Sequence, residues 1–103
     1  MVENMEMIAK EIIIEKISQS LKYTYESIEQ QLTFDFWDAD DLISLNTDYN
    51  VDEYAPGFFG IGTDGGDEML TVELSSGKVY SIPFIPMDSN DKVLITNSID
   101  DLI

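Results

Sequence analysis

The chain contains no cysteine, no histidine and no arginine; its only basic residues are five lysines. Lack of cysteine excludes disulfides, thiolate nucleophiles and cysteine-based metal centres together. Lack of histidine removes the commonest general base and the commonest metal ligand. No set of nucleophile, base and orienting residue can be assembled from what remains, so a non-catalytic protein without a cofactor is expected. No run of about 18 apolar residues occurs, so no membrane-spanning helix is expected. The first residues show neither an apolar h-region nor a small-residue cleavage site, which points to a cytoplasmic domain. Glycine and proline are absent from Met1 to Ala55, whereas all six glycines and all three prolines lie between Tyr54 and Asp88.

What is present is acid. The 103 residues carry 21 carboxylates and a net charge of −16. Residues 1–22 are nearly balanced, with Lys10, Lys16 and Lys22 against four glutamates, but the rest of the chain sets only Lys78 and Lys92 against all the other acids. Such a surface repels phosphate backbones and anionic lipid heads, so neither nucleic acid nor membrane is expected as a partner. It attracts and steers a basic protein, most strongly at low salt. Solubility alone is the competing explanation for the acidity. At this length the chain makes one domain, burying roughly 60–70% of the surface its unfolded form exposes.

The pattern along the chain predicts an α+β domain. Residues 3–31 read as helix, with Met5, Ile8, Ile12, Ile14, Ile17, Leu21, Tyr25 and Ile28 at steps near three and four. The register slips at Ile12–Ile14, which implies either two helices or one with a shifted buried face. From Leu32 the period becomes two, with Leu32, Phe34 and Phe36 on one face of a strand. Asp38 has the chemistry of an N-cap, with Asp41 three residues on, for a short helix ending near Asn46. Residues 47–56 read as a loop. Three strands follow: Phe58–Thr63, Met69–Leu74 and Val79–Phe84. The turns Asp64-Gly65-Gly66-Asp67 and Ser75-Ser76-Gly77-Lys78 join them into a meander. The glycines at 60 and 62 offer bare backbone for a close approach. Pro83 implies an edge position or a bulge. A short strand at Val93–Ile95 and a final turn capped by Asn97 or Ser98 complete the reading.

Two stretches invite a chemical reading and fail it on context. Gly60–Gly66 resembles a phosphate loop, but a strand follows where a helix is needed, and the lysine is missing. Asp64, Asp67 and Glu68 lack the alternating ligand spacing of a calcium loop and sit at a hairpin tip, where solvated turn acids are expected. The aromatics Trp37, Tyr49, Tyr54, Phe58 and Phe59 are more informative. Core packing accounts for Trp37, Phe34 and Phe36, while Tyr49 and Tyr54 among Asp48, Asp52 and Glu53 have the mixture found at protein interfaces.

Several segments in order also match a known pattern. A strand runs into Trp37 and the acidic helix from Asp38 to Leu45, followed by Asn46 and Tyr49. Then come Glu53-Tyr54-Ala55-Pro56-Gly57-Phe58-Phe59-Gly60-Ile61-Gly62, Thr63-Asp64-Gly65-Gly66, Val79-Tyr80, Pro83-Phe84-Ile85-Pro86-Met87-Asp88, and a closing segment from Ile95 to Ile103. On these residues, positions 32–103, about 70% of the chain, resemble the SUKH superfamily. That group includes fungal cell-wall-assembly regulators and many bacterial immunity proteins. Residues 1–31 depart from it, lacking the family's Pro-x-x-Tyr segment and Asn-Gly-Gly turn, and the closing helix is short. The departure implies a shortened member whose missing cover is supplied by its own N-terminal helix or by a second subunit, so a homo-oligomer is possible.

The resemblance implies an antiparallel sheet with helices packed on it and a binding role against a basic, nuclease-type toxin. The expected contact residues fall in three groups: Asp38, Asp40 and Asp41; Asp48, Tyr49, Asp52, Glu53 and Tyr54; and Asp64, Asp67 and Glu68. A regulatory or scaffold domain for host proteins, and a small-ligand module, are the alternative readings.

Overall fold

A computed structural model describes residues 2–103, with side chains described from Glu6 onward. The elements run α1 (Val2–Gln19), β1 (Thr24–Ser27), β2 (Leu32–Phe36), a 3-10 turn (Ala39–Asp41), α2 (Leu42–Asp48), α3 (Val51–Tyr54), β3 (Phe58–Thr63), β4 (Glu68–Glu73), β5 (Val79–Pro83) and β6 (Val93–Thr96), with short 3-10 turns at Ser89–Asp91 and Ile99–Asp101. The strands form one sheet in the order β1-β2-β3-β4-β5-β6, every neighbour antiparallel. The expected α+β class, with an antiparallel meander and an N-terminal helix, is the observed one.

The helix over 3–31 is corrected. It ends at Gln19, and Thr24–Ser27 pairs with Leu32–Phe36 as a hairpin. The Ser20 hydroxyl accepts the Lys22 amide, drawing the backbone out of the helix. Gln31 then takes a left-handed φ of 58° at the hairpin turn. The apolar spacing through Tyr25 and Ile28 is helical, but Ile28 lies exposed in the turn after β1, and the backbone pairs offered by β2 override the local spacing. The slip at Ile12–Ile14 resolves as a single helix. Ile13 and Ile17 are buried, whereas Ile8 and Ile12 face outward.

Alternation along the strands sends side chains to both faces, and both are covered. On one face Phe34, Phe59, Ile61, Leu70, Val72 and Val79 pack with Ile13 and Ile17 of α1 and with Ile99 and Leu102 of the closing turn. On the other, Phe58, Met69 and Ile82 pack with Val51 of α3 and Ala55 just after it, and Trp37 borders both clusters. β3 is buried along almost its whole length because it is sandwiched in this way.

The central strand carries a bulge. Gly60 faces Thr71 and Gly62 faces Leu70, so Ile61 is the extra residue and Thr63 comes opposite Met69. Close approach explains both glycines, as the sequence suggests. A Cβ at Gly62 would sit 2.3 Å from the Asp35 carbonyl oxygen of β2, and one at Gly60 would meet the Met69 sulfur at 2.8 Å and the Trp37 ring at 3.1 Å. Pro83 ends β5 opposite Glu68, past the last residue paired with β6, so it has an open edge on that side. Ser98 is the cap of the last turn, accepting from the Asp100 amide.

Candidate protein interface

The second face holds four of the expected contact residues, Asp48, Tyr49, Tyr54 and Asp67, and its construction starts from one amide. β2 pairs with β3 only at Asp35 and Phe36, and the Trp37 amide donates to Ile61 O. Beyond that point Asn46 of α2 takes the place of a strand. Its Nδ2 donates to Gly60 O at 2.9 Å, and its Oδ1 accepts from the Gly60 amide at 2.7 Å. A second Nδ2 bond, 2.8 Å to Leu42 O, fixes the rotamer. The side chain thus satisfies backbone groups that would otherwise be stranded beside a short strand. The glycine leaves room for it.

With α2 locked onto β3, its last turn and the following residues lie over the sheet. Residues 47–56, expected as a loop, are mostly helical: α2 continues to Asp48, Asn50 turns the chain with φ 56°, and Val51–Tyr54 makes another turn that buries Val51 completely. The apolar Val51 and Ala55, four apart, supply the buried stripe that the polar composition of the segment conceals. Tyr49 follows α2 and stacks on Trp37, centroids 5.7 Å apart at 10°, and also meets Phe84 at 4.9 Å with the rings tilted by 41°. The result is a ladder Trp37–Tyr49–Phe84 with Tyr49 44% exposed at its middle.

Two hollows share the Tyr49, Phe84 and Ile85 wall. One, about 430 Å³, is lined further by Asp48, Tyr54, Pro86 and Met87. The other, about 380 Å³, is lined by Thr63, Gly65, Gly66 and Asp67. The bulge in β3 matters here, because it places Thr63 opposite Met69 and at the hollow's edge. Ile85, 91% exposed, stands on the shared wall.

The sequence-predicted residues therefore divide. Asp48, Tyr49, Tyr54 and Asp67 line this surface. Glu53 accepts from the Tyr54 hydroxyl, and its charge holds the phenol's pKa above the ordinary value. Asp64 is committed to the hairpin turn, its Oδ1 accepting from the Gly66 and Glu68 amides at 2.8 and 3.1 Å, with Gly65 in the left-handed region at φ 84°. Partial burial pushes the Glu68 carboxyl up; a Ser81 hydrogen bond opposes this, and Asp64 and Asp67 add to it.

The remaining acids lie elsewhere. Asp52 reaches Lys10 of α1 at 3.4 Å. Asp38 and Asp40 line a separate hollow with Lys22, Tyr23, Phe36 and Trp37. The expected Asp38 cap is not made: neither Asp38 nor Asp41 accepts a side-chain capping bond, because the chain enters α2 through a 3-10 turn rather than directly. Asp41 is exposed and contributes its carbonyl to the Ser44 hydroxyl. Sequence reading missed Phe84, Ile85, Pro86 and Met87. For Phe84 and Ile85 the signal was there, as apolar residues bracketed by Pro83 and Pro86 cannot continue a central strand and so project from a loop.

Among the described residues no group of three acids converges as a metal site, and no helix is long and apolar enough to cross a membrane. Compared with known proteins, the chain matches no family model and no curated protein.

Proposed function

We propose that this chain is a non-catalytic binding protein of the SUKH immunity type, which docks a basic, nuclease-type toxin domain and blocks its cationic site. One observation carries the reading. The Tyr49–Phe84 aromatic surface is rimmed by Asp48 and Asp67, and no lysine contributes to its lining. Aromatic anchors inside a charged rim are the composition of a protein interface. Carboxylates presented on such a surface can occupy a site built for phosphates and raise the association rate with a basic partner. The lysines Lys10 and Lys16 are turned to Asp52 and Asp100, which keeps positive charge away from the surface.

The test is co-expression with the product of the neighbouring gene. Co-purification, with loss of that product's nucleic-acid cleavage and an association rate that falls steeply with salt, is the expected result. A partner bound equally well at high salt, or one still active in the complex, overturns the reading.

A further inference from the structure

The two hollows are not equivalent to a generic acidic patch, and their arrangement says more about the occupant. They lie on either side of one wall formed by Tyr49, Phe84 and Ile85, and each carries one carboxylate, Asp48 in the first and Asp67 in the second. Neither acid forms an ion pair among the described residues. The first hollow is dominated by aromatic and aliphatic carbon; the second adds the backbone of Gly65 and Gly66.

A flat guanidinium on an apolar stem fits such a place. Its stem packs on apolar side chains such as Ile85, its face can lie on an exposed aromatic ring such as Tyr54 in the first hollow, and its edge donates to the carboxylate. Lysine's compact and strongly hydrated ammonium gains less from the ring. In an extended segment side chains two residues apart point the same way, so two of them can enter neighbouring hollows that share a wall.

We propose that the paired hollows seat two arginine side chains, two residues apart on an extended segment of the basic partner, with Ile85 wedged between them. This rests on the function proposed above and names the recognition element within it.

The probe is a capped peptide, Gly-Arg-Ala-Arg-Gly, titrated into the isotope-labelled full chain and followed by amide chemical shifts. Shifts confined to residues 48–54, 63–68 and 84–88 are expected, weaker with the lysine peptide and absent with the glutamate peptide. Asp48→Asn and Asp67→Asn each weaken binding by about 2- to 5-fold, the range of a single exposed charge pair. Tyr49→Ala could act by disturbing the stack on Trp37, so the deciding variant is Ile85→Lys, at a position exposed enough to leave the fold intact. It abolishes the shifts without changing the melting temperature.

Shifts scattered over all the acids, or centred on the Asp38–Asp40 hollow, overturn the proposal, as does an Ile85→Lys chain that binds the peptide normally. Those results leave acidic docking of a basic partner standing. The converse result, confined peptide shifts but no basic partner in the co-expression test, removes the toxin reading and keeps the arginine seats.

Discussion

The two faces of the sheet are closed by different means. On the first, a long helix and the closing turn bring Ile13, Ile17, Ile99 and Leu102 onto the strands, and closure is apolar. On the second, α3 buries Val51 against Phe58, Met69 and Ile82, while α2, whose Leu42 belongs to the first cluster, lies at the border of the two. The two helices are held by the Asn46–Gly60 amide lock and the Trp37–Tyr49–Phe84 ladder. The first buries the residues that make the closure, Ile13, Ile17, Ile99 and Leu102. The second leaves Tyr49, Tyr54 and Ile85 exposed, and so creates a surface that something else can cover. A short element fixed by directional hydrogen bonds can present aromatic groups outward, whereas one fixed by burial spends them inward.

The comparison is most easily broken on the apolar side. Leu102 is fully buried against the first cluster. Leu102→Ala should cost about 2–5 kcal/mol in urea unfolding, the range for emptying a core position. A loss under about 1 kcal/mol would mean that the closing turn adds nothing to the core, and the first face would then depend on α1 alone.

The polar side should break at one residue. Asn46→Ala leaves the Gly60 amide and carbonyl beside α2 without their partner, at about 1–3 kcal/mol for a buried group left unpaired. The same change should raise the hydrogen-exchange rate of the Gly60 amide and detach Tyr49 from Trp37, visible in tryptophan fluorescence. Asn46→Asp should not rescue it. The carboxylate still accepts from Gly60 N–H but has nothing to donate to the Leu42 and Gly60 carbonyls. An Asn46→Ala protein as stable as wild type would show that ring stacking alone secures the second face.

How far these two faces were legible in the sequence differs in the same way. The meander from Phe58 to Phe84 could be read because strands alternate locally and glycine and proline mark their ends. The first cluster followed from that alternation. β1 was hidden because the spacing of Tyr25 and Ile28 extends the helical period, and only the pairing with β2 overrides it. The Asn46 lock could not be read at all, since it depends on a helix arriving beside bare backbone 14 residues later. Gly60 was a partial signal: it announced a close approach without saying by what. The site was half visible for a related reason. Tyr49 and Tyr54 stand out by composition, but Phe84, Ile85 and Met87 join them only once β5 runs back beside β4.

A smaller effect sharpens the contrast electrostatically. Burial and the neighbouring Asp64 and Asp67 raise the folded-state pKa of Glu68 above its unfolded value. The native state then holds the proton more tightly than the unfolded chain, so this residue's contribution to stability rises as pH falls through the folded pKa and is complete below the ordinary carboxylate range. At pH 7 it is a net cost. Glu68→Gln should raise the melting temperature at pH 7, and the gain should shrink to nothing in acid. A gain that is independent of pH would assign the effect to packing instead of charge.

The smallest expected effect compares two turns that look alike in sequence. Asp38 and Ser98 both precede a short helical turn, and both have the side chain that N-caps require. Only Ser98 uses it, accepting from the Asp100 amide at 3.1 Å, whereas Asp38 makes no capping bond. Ser98→Ala should therefore cost about 1 kcal/mol, while Asp38→Ala should stay within about 0.5 kcal/mol of wild type. Thermal unfolding of the two variants side by side reads the difference. Because Asp38 lines the hollow beside Lys22 rather than the Tyr49 surface, its removal should also leave arginine-peptide binding unchanged. Were Asp38→Ala to weaken that binding as much as Asp67→Asn does, the acids would be acting as one diffuse field, and the aromatic wall would lose its claim to set where a basic chain lands.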